Sequence, residues 1–577
     1  MPILVLPLEL ASKIAAGEVV ERPAAVAKEL IENAVDAGAT RIDVEARGGG
    51  VASLRVADNG SGIPADQAAT AFQRYATSKV ATLEDLERIG TLGFRGEALP
   101  SIAAVSEVEM LTRCLEDLGG THLRVDEGRV VEQAQRAAPV GTSVSVRHLF
   151  RNVPARLKFL KSNNAEVGRI TSVVTQYSLA YPGIRFSLTV DGKGVFASAG
   201  DGDVRQAAAR VFGIDAGAAM LPVDWAGETG GGSIAMTGLV TPPGITRSNR
   251  SYFHLFVNGR LVQNRRLSFA ILEGYQGLLR VGRFPIVVLN LEIDPAETDV
   301  NVHPTKVEVK FRDEGLAFSA IHKAVKQALT GAAVVRDAAW SANTPAAEAV
   351  TAPMPRTSVR PEAAPPSAMA ARPAMQYHGQ EQGRLRGVPI LRPLGQVGRT
   401  YIVSEGPDGM YLIDQHAAHE RVLFDRLKKT KAGGLPLSQG LLEPVAVELT
   451  PLQTSLLENQ QSFFEGYGYV MEAFGGPAVL LRAVPQSLAA QPAAQALRDL
   501  LDGLDAEGLK DQRWEDRVLA SLACHSAVRA GQDLAPKEMD EIVRLLEETD
   551  NPRTCPHGRP TMLHMSSFQL EKEFGRR

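Results

Sequence analysis

Cysteine is nearly absent from this sequence: three in 577 residues, Cys114, Cys524 and Cys555. They are too few for a disulfide framework, which points to a reducing, cytoplasmic setting. Long apolar runs are missing as well. None approaches the roughly 20 residues a membrane span needs. The apolar start MPILVLPLEL has no basic segment ahead of it, so neither a membrane anchor nor a signal peptide is expected. An excess of charge of one sign is also lacking. The formal net charge is −4, so any nucleic-acid contact must come from a local basic patch rather than a global field. No GxxxxGKS/T sequence occurs, so a nucleotide is not held by a P-loop. No internal repeat appears at solenoid periods.

What is present is length and a change of composition. A chain of 577 residues is too long for one core and suggests about three or four domain-sized units. Strand and helix patterns mix up to Gly331. From Ala332 to Arg386 Ala, Pro, Ser and Thr dominate, with prolines at 345, 353, 355, 361, 365, 366 and 373. Such a segment buries too little apolar surface to offset its ordering entropy and is expected to be a disordered linker. About 55 flexible residues span roughly 40 Å. Order is expected to resume near Leu391, with strands at 400–403 and 410–413 and helices at 451–466, 493–504 and 513–531.

In the N-terminal part, Pro23 opens a helical pattern that runs through AAVAKELIENAVDAG to Gly38. Glu29, Asn33 and Asp36 fall at i, i+4 and i+7, on one face beside apolar Val26, Leu30, Ile31 and Ala34. That placement suits Glu29 to polarising a water and Asn33 to coordinating a divalent cation through its amide oxygen. A solvated helix face explains the spacing equally well. DNGSGI (Asp58–Ile63) then puts a carboxylate at a strand end, able to hold an adenine amino group. RYATSK (Arg74–Lys79) follows. GTLGFRGEAL (Gly90–Leu99) is Gly-rich and leads into a helix start, a suitable anion site.

In this order ELIENAVDAGA, DNGSGI, TSK, GFRGEAL and the later GTSVSV resemble the GHKL ATPases, and GFRGEALPSI resembles the MutL branch of that group. The resemblance implies that Glu29 is the general base and Asn33 the magnesium ligand. Asp58 would read adenine with Gly62, and Gly141 and Thr142 would complete that pocket. Thr77, Ser78 and Lys79 would contact ATP. Gly93, Phe94, Arg95, Gly96, Glu97, Ala98 and Leu99 would form a lid over the phosphates. RNVPARLKFL, LFVNGRLVQNRRL and TDVNVHPTKVEVKF also look like MutL signatures, and the last implies that Lys306 reaches the γ-phosphate. Arg260, Arg265 and Arg266 are a candidate strip for sequence-indifferent DNA binding, with plain solvation as the alternative.

Beyond the linker, Asp414 lies at a strand-to-helix junction. His416 and Glu420 lie one helical turn apart, a spacing that lets two side chains bind one metal. Cys555 and His557 form a compact pair suited to zinc. DQHAAHE, ACHSAVRAG and CPHGRP resemble the endonuclease-type MutL C-terminal domain. This implies Asp414, His416, Glu420, Cys555 and His557 as ligands, with Cys524 nearby and Asp414 also catalytic. Asp425 stands where the family motif has glutamate. QGLLEP resembles a sliding-clamp binding motif, implicating Gln439, Leu441, Leu442 and Pro444, whereas a buried strand edge would account for it nearly as well.

The expected fold is α+β and multidomain. It comprises a GHKL ATPase α/β sandwich (1–205), a second βαβ-type subdomain (206–331), a flexible linker (332–386) and a C-terminal α/β dimerisation and endonuclease domain (387–577). The expected function is DNA mismatch repair by an ATP-driven homodimeric clamp with a metal-dependent nicking site. ATP and Mg2+ are the expected cofactors, with Zn2+ and/or Mn2+ at the C-terminal site. The expected partners are DNA, a MutS-type mismatch sensor and the replicative sliding clamp, without a membrane. The alternative is an ATP-switched matchmaker that recruits other enzymes and has no nuclease of its own.

Overall fold

Apolar periodicity builds the first lobe from helices laid on a sheet. Helix α1 (Pro23–Asp36) starts on Pro23, whose missing N–H costs nothing in the first turn. It stops before Gly38, which sits at φ +70. Its buried face is Val26, Ala27, Leu30, Ile31 and Ala34. Each large aliphatic side chain buried in this way contributes about 1.5–3 kcal/mol. The sheet comprises β1 (Arg41–Arg47), β2 (Ser53–Asp58), β3 (Glu107–Arg113), β4 (Gly120–Asp126), β5 (Arg129–Arg136), β6 (Gly141–Arg147), β7 (Arg185–Val190) and β8 (Lys193–Ala197). Their order is β5-β4-β3-β6-β2-β1-β7-β8. β1 shows why it lies half-buried: Ile42, Val44 and Ala46 face the core at period two. The short α2 (Ala98–Ala104) follows the Gly-rich segment, and α3 (Asn163–Ala180) packs against α1 and β7. In the computed structural model the described residues are 16–17, 19–82, 85, 88–229, 232–279, 282–299, 309–341, 390–432, 438–475, 477–489, 491–504, 512–528 and 531–574.

After α4 (Val204–Phe212) the second lobe forms its own sheet from β9 (Leu221–Thr229), β10 (Gly232–Val240), β11 (Phe253–Val257), β12 (Arg260–Leu261) and β13 (Val287–Glu292). The order is β12-β11-β13-β10-β9, and the parallel pair β11 and β13 is joined through α5 (Arg265–Gly274), a βαβ unit. A small antiparallel pair follows, β14 (Thr298–Asp299) with β15 (Lys310–Phe311). Helix α6 (Glu314–Ser341) supplies Ala317, Ala320, Ile321, Ala324 and Val325 to this lobe's core. Its length corrects the expected linker boundary. Residues 332–341 continue α6, in keeping with the high helix propensity of an Ala-rich run. The remainder of the expected linker, 342–386, lies outside the described residues.

The chain divides into two units, one made of 1–331 with 423–527, the other of 332–422 with 528–577. The stretch read from sequence as one C-terminal domain is therefore shared between them. The second unit holds β16 (Arg392–Val397), β17 (Tyr401–Gly406) and β18 (Gly409–Asp414), with β22 (Met562–Ser566) as the fourth strand, in the order β16-β17-β18-β22. Helix α7 (Gln415–Ala432) starts in this unit and continues into the segment that belongs to the first. In the first unit that segment adds a three-stranded sheet of β19 (Ser438–Glu448), β20 (Val470–Ala473) and β21 (Ala478–Pro485). Helices α8 (Pro451–Asn459), α9 (Ala493–Gly503) and α10 (Gln512–Ser526) accompany it. The second unit closes with α11 (Pro536–Glu547), which packs on β16. Met539, Ile542, Val543 and Leu546 of α11 meet Ile402, Tyr411 and Ile413 across one face of the sheet. No described helix is long and apolar enough to cross a membrane.

Candidate functional site

The first site is assembled on α1. Asn33 Oδ1 and Asp36 Oδ2 both meet the ammonium of Lys79, at 3.1 and 2.5 Å. Asp36 also accepts the backbone N–H groups of Leu92 at 2.8 Å and Gly93 at 2.9 Å. One carboxylate thus anchors the start of the Gly-rich segment and the TSK lysine together. Sequence reasoning placed Asp36 on the right face but gave it no role. The signal was its i+3 position from Asn33.

Glu29 lies one turn before Asn33 with its side chain 14% exposed, 3.5 Å from Lys28 Nζ. Lys28 also pairs with buried Glu32 at 2.8 Å, and Glu32 accepts from the Tyr177 hydroxyl of α3 at 2.7 Å. Burial alone would lower the Lys28 pKa, but Glu32 and Glu29 outweigh it and raise it. Glu29 therefore sits beside a fixed positive charge and near the surface, a placement compatible with action on a water.

Asp58 and Thr142, both read from sequence as adenine-side residues, lie within hydrogen-bonding distance of each other. Asp58 Oδ1 accepts from Gly60 N at 2.8 Å and Thr142 N at 3.3 Å. Burial pushes the Asp58 carboxyl above the usual range, against the pull of those two N–H groups. Gly141 and Gly62 are required by space as well as by their positive φ. A Cβ at Gly141 would come within 2.1 Å of Asp58 O, and one at Gly62 within 2.1 Å of Arg113 O. The TSK segment and the lid are stitched together by Tyr75 N–H to Gly96 O at 3.0 Å. Phe94 is buried between two guanidinium groups, Arg95 at 5.5 Å and Arg260 at 6.0 Å from its ring centre. Thr77 receives the Lys79 N–H on its hydroxyl, Ser78 is exposed, and Glu97 precedes α2, whose first residues are Ala98 and Leu99.

Arg260 corrects the sequence reading. It is only 7% exposed and donates to the Thr91 carbonyl just ahead of the lid segment, so it is unavailable to a DNA backbone. Its physical setting is the tight Asn258–Gly259 turn of the second lobe, at φ +49 and +76. This turn drives the side chain inward toward Glu32 and Asp36, whose charges oppose the burial that lowers its pKa. Arg265 and Arg266 are exposed at the start of α5, with Arg266 paired to Glu314 at 3.0 Å. Lys306 lies outside the described residues.

The second site lies in the second unit around Glu420. Its side chain is fully buried. His416 Nε2 approaches one oxygen at 3.1 Å and His557 Nδ1 the other at 3.5 Å. Arg559 adds a guanidinium contact at 3.2 Å. Donor atoms of Glu420, Cys555 and His557 lie within 4.8 Å of one another. His416 Nδ1 faces the Val528 carbonyl at 2.9 Å, which turns Nε2 toward Glu420, the second-sphere arrangement that orients a metal-binding imidazole. The two distant segments are tied by Arg421 Nε donating to Thr554 O at 2.7 Å. A thiolate, an imidazole and a carboxylate converging on one point fit a divalent ion.

Asp414 stands apart from that grouping. Its Oδ1 accepts the N–H groups of His416 and Ala417, both at 3.0 Å. It therefore acts as the N-cap of α7, because a short carboxylate at a strand-to-helix junction satisfies orphan N–H donors. Asp425 is buried farther along α7, and Cys524 is half-buried on α10. The QGLLEP residues lie on β19, where pairing with β21 breaks between Gly440 and Val445. Leu442 is fully exposed and Gln439 and Pro444 are exposed, so a buried strand edge does not explain the motif.

Comparison with known proteins matches three family descriptions along the chain. Residues 21–146 match a histidine kinase-, DNA gyrase B- and HSP90-like ATPase, 208–330 a DNA mismatch repair protein C-terminal domain, and 394–534 a MutL C-terminal dimerisation domain. Among solved structures, the Aquifex aeolicus MutL ATPase domain complexed with ADP is similar at 27% identity, covering 48% of this chain and 94% of that one with TM-score 0.36. The DNA mismatch repair protein MutL of Geobacter sulfurreducens is 38% identical, covering 100% of this chain and 99% of its own. That of Symbiobacterium thermophilum is 38% identical over 98% of each. On this likeness along its whole length, the chain belongs to the MutL family of DNA mismatch repair proteins.

Proposed function

We propose that the chain works as an ATP-operated homodimeric clamp in the cytoplasm that links mismatch recognition to incision of DNA. The GHKL ATPase domain is given by the family. The residue roles are the present reading: Glu29 would take a proton from the attacking water, Asn33 would hold magnesium through its amide oxygen, and Asp58 would accept from the adenine amino group. Gly93–Leu99 wrap the phosphates. Lys306 is assigned to the γ-phosphate from the motif alone. Magnesium bound at Asn33 would neutralise charge on the phosphates being cleaved. Lid rearrangement is expected to gate turnover.

The observation that carries the incision reading is the convergence of Glu420, Cys555 and His557, with His416 alongside. Zinc suits the thiolate–imidazole pair, and manganese or magnesium suits the carboxylates. Ions held there would generate hydroxide and stabilise the leaving oxygen of a phosphodiester. Arg265 and Arg266 remain as DNA contacts, Gln439, Leu441, Leu442 and Pro444 as the sliding-clamp contact, and a MutS-type sensor as the loading partner. Incubating the purified chain with supercoiled plasmid, manganese and sliding clamp tests this. Nicked circles that disappear on Glu420→Gln are expected, and a plasmid that stays supercoiled refutes the nuclease. One observation favours the alternative of a matchmaker without nuclease. Asp414 is engaged as a helix cap and Arg559 already neutralises Glu420, an arrangement that a structural role also satisfies.

A further inference from the structure

The acidic face of α9 carries two aspartates three residues apart, Asp499 and Asp502, which share one side of the helix. Such residues are normally solvated. Here the Asp502 side chain has no exposed surface and Asp499 has 8%. Their partners lie more than 200 residues earlier, in the second lobe. Tyr252 donates its hydroxyl to Asp502 Oδ1. Arg247 Nε lies 3.5 Å from Asp502 Oδ2, with the arginine side chain only 5% exposed. Asn249 Nδ2 donates to the Asp502 carbonyl at 2.5 Å. Arg283 donates to Asp499 at 2.8 Å while its other nitrogens are held by Thr246 Oγ1 and O at 2.9 and 3.0 Å. On the α8 side, Gln453 Nε2 donates to Asp502 Oδ1 at 2.6 Å, and Oδ2 faces only the Arg247 charge, beyond hydrogen-bond geometry. At the edge of the contact, the Ile214 N–H donates to Glu448 Oε2 at 3.0 Å.

A carboxylate removed from water this completely is tolerated only when paired. The pairing here is built from both sides, with the Arg283 guanidinium already fixed by its own loop. The contact is polar and charged rather than a continuous apolar core, the character of an interface that opens and closes. It also reaches the ATPase helices. Helix α8 packs on α3, and α3 packs on α1. Tyr177 of α3 holds Glu32 of α1, beside Glu29.

We propose that the Leu423–Ala527 region clasps the second lobe through a charge latch, Asp499 and Asp502 against Arg283 and Arg247, and that through α3 this clasp bears on the ATPase helix α1. Engagement buries both acids and buttresses α3 from outside. Release leaves α3 without that packing partner and alters how firmly the Glu32–Lys28 pair is held next to Glu29.

Charge exchange in the full-length chain tests this, using the less buried pair. Asp499→Arg and Arg283→Asp are made singly and together, and backbone hydrogen exchange is followed at Ile214 and at 247–252 alongside ATP turnover. Each single variant is expected to speed exchange at these positions by on the order of fivefold or more, with a change of turnover of similar size. The double variant is expected to restore both. Exchange in β1–β3 reports whether the first lobe stays folded, and Asp502→Asn at raised salt supplies a second, milder release. Exchange at Ile214 that is unchanged in every variant, or not restored in the exchanged pair, overturns the latch. Unlatched variants with unaltered turnover overturn the coupling to α1.

Discussion

At the residue scale, the proposed ATP site would separate groups that bind from a group that acts. Glu29 lies 3.5 Å from Lys28 Nζ, whereas Asn33 and Asp36 hold the Lys79 ammonium. Glu29→Ala is therefore expected to leave nucleotide affinity nearly unchanged and to lower turnover by roughly 10²- to 10⁴-fold, the usual worth of a general base. Asn33→Ala should instead abolish the magnesium dependence of nucleotide binding. Titration calorimetry with and without magnesium, beside a phosphate-release assay, separates the two. Equal loss of affinity in both variants contradicts the assignment. Arg260 makes a second prediction. Because its guanidinium grips the Thr91 carbonyl and covers Phe94, Arg260→Ala should slow turnover while leaving DNA binding intact. A gel-shift titration showing weakened DNA binding would return Arg260 to the surface strip. Much of this site was legible: the i, i+4, i+7 face and the DNGSGI and GFRGEAL segments do meet. Asp36's double role and Arg260's burial were not, since both depend on which way a loop turns in three dimensions.

At the element scale, β19 shows how a strand presents a motif. A register break between Gly440 and Val445 lifts Leu441 to Pro444 out of the ladder, and Leu442 ends fully exposed. A bulge of this kind re-aims side chains that a regular edge would bury or pair. Leu442→Ala is expected to weaken binding of a sliding clamp by about tenfold, the loss of one buried aliphatic side chain, without altering ATP turnover. Surface plasmon resonance with immobilised clamp measures it, and an unchanged affinity removes the motif from the contact. The strand-turn-strand-helix order that begins at Thr400 was readable from alternation and turn residues, whereas β16 ahead of it was not. The far end of α6 was not, because an Ala-rich helix and an Ala-rich coil have the same composition and differ only in what they dock against.

At the scale of the whole molecule, the sheet of the second unit has one covered face and one uncovered. Alternation puts Ile402, Tyr411 and Ile413 under α11. The opposite parity leaves Tyr401, Leu563 and Met565 exposed at 42%, 62% and 37%. In the β18–β22 register Leu412 lies beside Leu563 and Met410 beside Met565, forming one continuous apolar strip. Contiguous apolar surface on a sheet face is costly in water and marks an interface. The family supplies the occupant, since residues 394–534 match a dimerisation domain. The uncovered face is thus the expected site of self-association, each copy presenting the same strip about a twofold axis. Leu563→Arg places an unpaired charge at the centre of that strip, where burial would cost several kcal/mol. It is expected to raise the dimer dissociation constant by at least about a hundredfold. Sedimentation velocity over a concentration series reads this directly. Because Leu563 lies on a strand remote in sequence from Glu29 and Asn33, nucleotide affinity should persist in the resulting monomer. A Leu563→Arg chain that sediments as a dimer at every concentration would place the association surface elsewhere.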